Sequence, residues 1–257
     1  MPSIYEPLEI LGVQVGRLTT GELIDSIVQA TASGSRIIVA YVNIYAINLA
    51  QEQPWIKEFL NQAQLTYCDG YGVMLGARIL GCRIPERYTP PDWFSRLSSI
   101  WAEHSFSMAF LGAKPGVAER AAERLKCESP GLKVVYTHDG YFDRSVGCAD
   151  NETVIQAINA CKPNLLVIGL GMPAQERWLL ENWHKLDCQV ALPIGAGFDY
   201  LAGEVRRAPR WMTDHGFEWI GRLWVEPGRL WRRYLLGIPR FLFNVSLQRL
   251  GLVRSTE

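Results

Sequence analysis

The run from Leu165 to Trp178, LLVIGLGMPAQERW, limits what this chain can fold into more than any other segment. Four consecutive apolar residues read as a strand buried on both faces, the signature of a parallel sheet. Gly169 and Gly171 remove side chains where that strand ends. Pro173 suits the first turn of a following helix, where its missing N–H costs nothing. Such a helix start offers free backbone N–H groups and a positive dipole end, a natural seat for phosphate. Gln175 and Glu176 are then expected at the mouth of a cleft, where a polar pair can bind a sugar or a diphosphate.

The same alternation recurs along the chain. Strands are predicted at 37–42, 65–68, 107–111, 132–137 and 189–194, with helices over 20–33, 44–62 and 151–161 and a helix rich in Ala and Glu after Gly116. This rhythm predicts an α/β fold: a Rossmann-like parallel sheet flanked by helices. Ligands of such sheets sit beyond the carboxyl ends of the strands. Asp69, Lys114, Gln175 and Asp199 all follow strand ends, so one cleft can hold all four. Thr20 is placed to cap the first helix.

After Pro209 the character changes. Residues 206–257 hold ten arginines, no lysine and four acids, a charge of +6 that offsets −6 in the rest of a formally neutral chain. Tryptophans 211, 219, 224 and 231 are interleaved with those arginines. Residues 1–205 are therefore read as the core, and 206–257 as an appendage of two or three amphipathic helices suited to an anionic interface. Arg222, Arg229, Arg232 and Arg233 recur at helical spacing, which places them on one face. That face is either simply solvated or a diphosphate clamp.

Other classes are poorly supported. The six cysteines form no C-x-x-C pair and the four histidines show no ligand spacing, so neither a zinc site nor a disulfide framework is expected. The N-terminus carries no secretory pattern, and no apolar run is long enough to cross a membrane. Gly169-Leu-Gly171 lacks the third glycine of a dinucleotide fingerprint, and there is no P-loop. The acidic remainder argues against a nucleic-acid surface.

Asp69 stands at a strand-to-turn junction, in Tyr67-Cys-Asp-Gly-Tyr-Gly72. It is either a turn aspartate bonding nearby backbone or a general base taking the proton from an attacking hydroxyl.

In order along the chain, Asn43, Asp69-Gly-x-Gly72, Arg87-x-x-x-x-Asp92, Leu111-Gly-x-x-Pro-Gly116 and Gly140-Tyr-Phe142 are followed by Gly169-x-Gly-x-Pro-x-Gln-Glu176. The segment 197–203, Arg207-Ala-Pro209 and the run Glu218 to Tyr234 complete the set. With these segments the chain resembles the WecG/TagA/CpsF family of bacterial glycosyltransferases. The resemblance implies inverting, metal-independent transfer of a hexose of the N-acetylmannosamine type. The donor would be a UDP-sugar and the acceptor a polyprenyl-diphosphate-linked sugar, at the inner face of the cytoplasmic membrane and in cell-surface polysaccharide synthesis. No cofactor is implied, and homo-oligomer formation is left open. Asp69 would be the base and Gln175 would meet substrate near the reaction centre. Tyr41, Asn43, Arg87, Gly112, Gly169, Gly171, Glu176, Asp199, Arg222, Arg229 and Arg232 would bind substrate, with the appendage closing the site and touching the membrane. The sequence departs from the family's pattern at Tyr41 (often Thr), Ala174 (usually Lys) and Pro90 (commonly Gly), so the identity of the sugars stays open. A catalytically idle, membrane-associated nucleotide-sugar-binding subunit is the alternative.

Overall fold

A computed structural model describes residues 6–205 and 210–252. The motif Arg207-Ala-Pro209 and the expected boundary at 205/206 abut or fall in the gap and lie outside the described residues. The strands are β1 (Leu8–Ile10), β2 (Val13–Val15), β3 (Ile37–Val42), β4 (Leu65–Cys68), β5 (Ser107–Gly112), β6 (Lys133–His138), β7 (Leu165–Gly169) and β8 (Val190–Pro193). The last six form one sheet in the order β4-β3-β8-β7-β5-β6. The register is parallel where β3 meets β8, β8 meets β7, β7 meets β5 and β5 meets β6. The fold is thus the α/β, Rossmann-like sheet with C-terminal helices that the alternation predicts.

The chain divides into two compact units. The first comprises Met1–Thr20, Tyr41–Tyr88 and Arg207–Glu257; the second comprises Gly21–Ala40 and Thr89–Arg206.

In the first unit, β1 and β2 form an antiparallel hairpin that the sequence reading missed. Its strands are only three residues long, too short for an alternation to register. The helix expected over 44–62 is two helices, Ile44–Glu52 and Pro54–Gln62. Pro54 drives Gln53 out of helical geometry, to φ −132° and ψ 99°. Thr20 is the first residue of its helix rather than the residue before it; its N–H and hydroxyl both donate to Glu86.

The C-terminal segment splits into two characters. Trp224 is 89% exposed, and Trp211, Val225, Leu235, Leu236 and Phe243 also face solvent. The helix Gly237–Arg249, in contrast, is anchored in the first unit by the fully buried Phe241 and Val245. A Cβ on Gly76 would lie 2.6 Å from the Phe241 ring, so the glycine lets the helix Tyr71–Ile79 approach closely. Gln248 accepts from Leu11 N–H at 2.9 Å and donates to the Glu9 carbonyl, and Asn48 donates to the Gly237 carbonyl at 2.8 Å. No described helix is long and apolar enough to cross a membrane.

In the second unit, Phe110 of β5 meets Phe94 edge to face at 6.2 Å and the tilted ring of Phe198 at 5.0 Å. β5 and β7 end together at the pair Gly112–Gly169, and a Cβ on Gly112 would collide with the Gly169 carbonyl. A Cβ on Gly169 would in turn strike the Phe198 ring. These two glycines are therefore required by the packing of the strand ends themselves.

Candidate functional site

Asp69 leaves the end of β4 half-buried. Its backbone N–H donates to the Val42 carbonyl at 2.8 Å, continuing the ladder one residue past the strand. Asn43 occupies the matching position after β3 and uses its amide twice. The oxygen accepts from Ala46 N–H at 2.9 Å, capping the helix Ile44–Glu52, and the nitrogen donates to the Asp69 carboxylate at 3.2 Å. An amide is the side chain that can do both, and the cap fixes which way it faces. Beneath them, the rings of Tyr41, Tyr67 and Tyr88 pack at 6.4 and 5.9 Å.

The Asp69 carboxyl is raised from the ordinary 3.8 to about 6: burial is the largest cause and the charge of Glu218 adds to it, while the Asn43 hydrogen bond and the Arg222 and Arg233 guanidiniums pull the other way. A carboxylate poised near pH 6 is ionised at neutral pH yet still basic enough to take a proton.

The arginines are not carried on one unbroken α-helix, as their spacing assumed. Pro227 interrupts the helix, and Glu226 stands at φ −132° and ψ 61°, so Arg222 belongs to the helix Glu218–Val225 and Arg229 to Pro227–Trp231. A π-helical turn comes next, over Arg232–Leu236. It adds a residue to the turn and rotates the downstream residues out of α phase. Arg232 is exposed and lies over the Trp231 ring at 5.2 Å. Arg233, absent from the binding residues that the family resemblance implies, lies over the Tyr45 ring at 4.6 Å and acts on Asp69. The side chain of Arg229 lies outside the described set.

Arg87 is tied to the same place by backbone and side chain. Tyr88 N–H donates to the Cys68 carbonyl at 3.0 Å, which sets residues 87–88 beside the end of β4. The Arg87 guanidinium packs over the Tyr71 ring at 5.0 Å and meets the Glu218 carboxylate at 2.9 Å. Glu218 thus joins the surroundings of Asp69, and the sequence reading gave it no role. It was visible only as one letter in a matching motif, because its partner lies 131 residues away.

The remaining candidates are in the second unit. Gln175 and Glu176 open the helix Ala174–Asn182, but both are buried rather than standing in solvent. The Gln175 oxygen accepts from Gly195 N–H at 3.0 Å and its amide donates to Glu176 at 2.7 Å. The other Glu176 oxygen has no partner among the described residues, and burial raises this carboxyl from 4.5 to about 7. Below them Trp178 donates to Asn151 and Asn151 to Asn182, a fully buried chain that fixes the helix. Gly171 has φ +77°, the left-handed region, and Pro173 precedes the helix instead of starting it, after a cis Met172–Pro173 bond. Asp199 is half-buried in the short helix Gly197–Leu201, and Lys114 is exposed. The described residues contain no group of three His, Cys, Asp or Glu side chains that could hold a metal ion.

The profile of the WecG/TagA/CpsF glycosyl transferase family matches residues 8–255. An N-acetylglucosaminyldiphosphoundecaprenol N-acetyl-beta-D-mannosaminyltransferase of Staphylococcus aureus (strain MRSA252) is 26% identical over 241 residues, 93% of this chain and 92% of the relative. The protein of the same name from Bacillus spizizenii is 30% identical over 196 residues, 76% of this chain and 73% of the relative. The match over nearly the whole length, together with the ordered motifs that include Asp69 and Gln175, makes this chain a member of the WecG/TagA/CpsF family of glycosyltransferases.

Proposed function

We propose that this enzyme transfers an N-acetylmannosamine-type hexose from a UDP-sugar to a polyprenyl-diphosphate-linked N-acetylglucosamine, with Asp69 as general base. The observation that carries the reading is the environment of Asp69. It is a carboxylate raised toward neutrality by burial, oriented by Asn43 and faced by Arg222 and Arg233. Asp69 takes the proton of the acceptor hydroxyl as that oxygen attacks the anomeric carbon. The bond from that carbon to the diphosphate breaks, and the electron pair leaves with UDP. One displacement inverts configuration, so an α-linked donor gives a β-linked product, the configuration in the relatives' names. Arg222 and Arg233, with Arg87 and the neighbouring Arg229 and Arg232, supply the positive charge that the departing diphosphate needs, without a metal ion.

Gln175 meets substrate near the reaction centre, and Gly171, where a Cβ would meet nothing within 4 Å, leaves backbone open to a phosphate or sugar. Tyr41, Glu176 and Asp199 shape the surroundings. The solvent-facing Trp224, Leu235, Leu236 and Phe243, set among arginines, suit contact with the inner membrane face where such an acceptor resides.

The test is UDP release from a panel of UDP-hexoses, with and without a synthetic polyprenyl-diphosphate-N-acetylglucosamine. Acceptor-dependent release from one donor supports the reading and names the sugar. Release that ignores the acceptor, or none from any donor, overturns it.

A further inference from the structure

We propose that Glu218 is a positioning residue: through its ion pair with Arg87 it holds the helix Glu218–Val225 so that Arg222 faces Asp69. The proposal deepens the functional reading above and rests on it for the role of Arg222.

Two independent ties fix the geometry. The backbone bond from Tyr88 to Cys68 locks residues 87–88 beside the end of β4, one residue from Asp69. The Arg87 side chain then meets Glu218 at 2.9 Å, with only 13% and 20% of the two side chains exposed. Charge-assisted bonds in such partly desolvated places are stronger and more directional than surface pairs. Glu218 and Arg222 are four residues apart in one continuous helix, so they share a face. Fixing the first on Arg87 therefore brings the second round to the same side. Asp69 senses both charges, Glu218 raising its affinity for a proton and Arg222 lowering it, as a shared face requires. The other groups that act on the carboxylate are Arg233 from the π turn and Asn43, the cap of the helix after β3; Tyr67 and Cys68 of β4 feel its charge, and Arg87 acts on Cys68. The helix that carries Arg222 is short and buries none of its described side chains, so a salt bridge has more to decide there than it would in a packed core.

The experiment separates charge from position. Glu218→Gln keeps an oxygen that can accept from Arg87 but removes the negative charge. Glu218→Ala removes both. For each, the Asp69 carboxyl is titrated by carbon-13 NMR of aspartate-labelled protein, assigned with Asp69→Asn, and kcat and KM are measured across pH with a thermal melt alongside. Glu218→Gln is expected to lower the Asp69 midpoint and move the acid limb of kcat/KM to lower pH, with only a few-fold loss of rate. Glu218→Ala is expected to release Arg222: kcat/KM falls on the order of 10- to 100-fold, and the Asp69 midpoint stands above that of Glu218→Gln because a positive neighbour has withdrawn. Equal midpoints in the two variants, or full activity in Glu218→Ala, would overturn the proposal. Should Glu218→Ala melt too low to assay, Glu218→Asp keeps the charge and shortens the reach; a rate loss with lowered Tm and an unmoved midpoint would make the pair a simple strut and reject the positioning role. The NMR titration needs no sugar donor, so it decides the geometry even if the assigned reaction is wrong.

Discussion

The two units present their polar residues in opposite ways. In the first, Asp69 accepts a hydrogen bond from the Asn43 amide and feels charge drawn from far along the chain: Glu218, itself paired with Arg87, and Arg222 and Arg233, all from the C-terminal segment. In the second, Gln175 and Glu176 are neighbours that bond each other and Gly195, with no charged partner for the buried carboxyl among the described residues. Both carboxyls are raised by burial. Asp69 is drawn back toward ionisation by guanidiniums and an amide, whereas Glu176 has only the amide of Gln175 and a backbone hydrogen bond to temper its burial. A carboxylate used as a base needs charges that hold it ionised at working pH. A carboxyl used to orient an amide is served as well by a proton.

The difference can be broken most directly at Asp69. Asp69→Asn removes the proposed base and is expected to lower kcat by about 10²–10⁴-fold while the thermal melt stays close to that of the parent. Glu176→Gln, nearly the same shape as the neutral acid, should cost far less; the reverse ranking in the transfer assay would exchange the roles of the two units. In the parent, kcat/KM should fall as pH drops through about 6, where Asp69 takes up its proton.

Next in size, Phe241→Ala opens a cavity beneath the C-terminal helix and should cost about 3–5 kcal/mol of stability, read as a lowered Tm. A small effect would mean that the first unit does not depend on that helix. Glu176 sharpens the comparison through pH. The folded carboxyl keeps its proton to about 7 against 4.5 ordinarily, so the native state binds more protons between those values. Stability therefore falls as pH rises across that window and levels off above it. Glu176→Gln should abolish this contribution, so the difference in Tm, variant minus parent, should grow from pH 4.5 to 7; a constant difference would mean that the parent is already ionised there. The smallest effect on stability is expected at Trp224, which is 89% exposed. Trp224→Ala should change it by no more than about 0.5 kcal/mol while weakening sedimentation with anionic liposomes; unchanged sedimentation would remove Trp224 from the membrane contact.

The same contrast explains what could be read from the sequence. The parallel sheet was legible because most of its strands announce themselves locally as apolar runs, and the glycine turn before Gln175 is a local motif. The burial of Gln175 and Glu176 was not, since it depends on Gly195 and on the Asn151–Trp178–Asn182 chain that the fold brings together. The charged surroundings of Asp69 were harder still. Asp69 itself could be marked from its strand end. Its ties to Glu218 and Arg233 cross more than a hundred residues, and the spacing of the arginines, which assumed an unbroken α-helix, set Arg232 and Arg233 side by side without distinguishing them. The proline at 227 was in view; the π turn had no signature in the sequence.

That turn has a consequence of its own for how this segment can change. Arg233 within it and the apolar residues after it, Phe241 and Val245, belong to one run of helix, and the wider turn takes up one residue more than an α turn would. It works as a vernier between a face that meets Asp69 and a face that serves packing. Winding the same residues 232–236 as a regular α-helix would turn everything downstream by about 100° relative to what comes before. Either Phe241 would leave its seat over Gly76, or Arg233 would leave Tyr45. A single-residue deletion inside the turn removes the surplus and lets both faces stay; a substitution that tightens the turn without shortening the chain forces the protein to choose which of its two faces to keep.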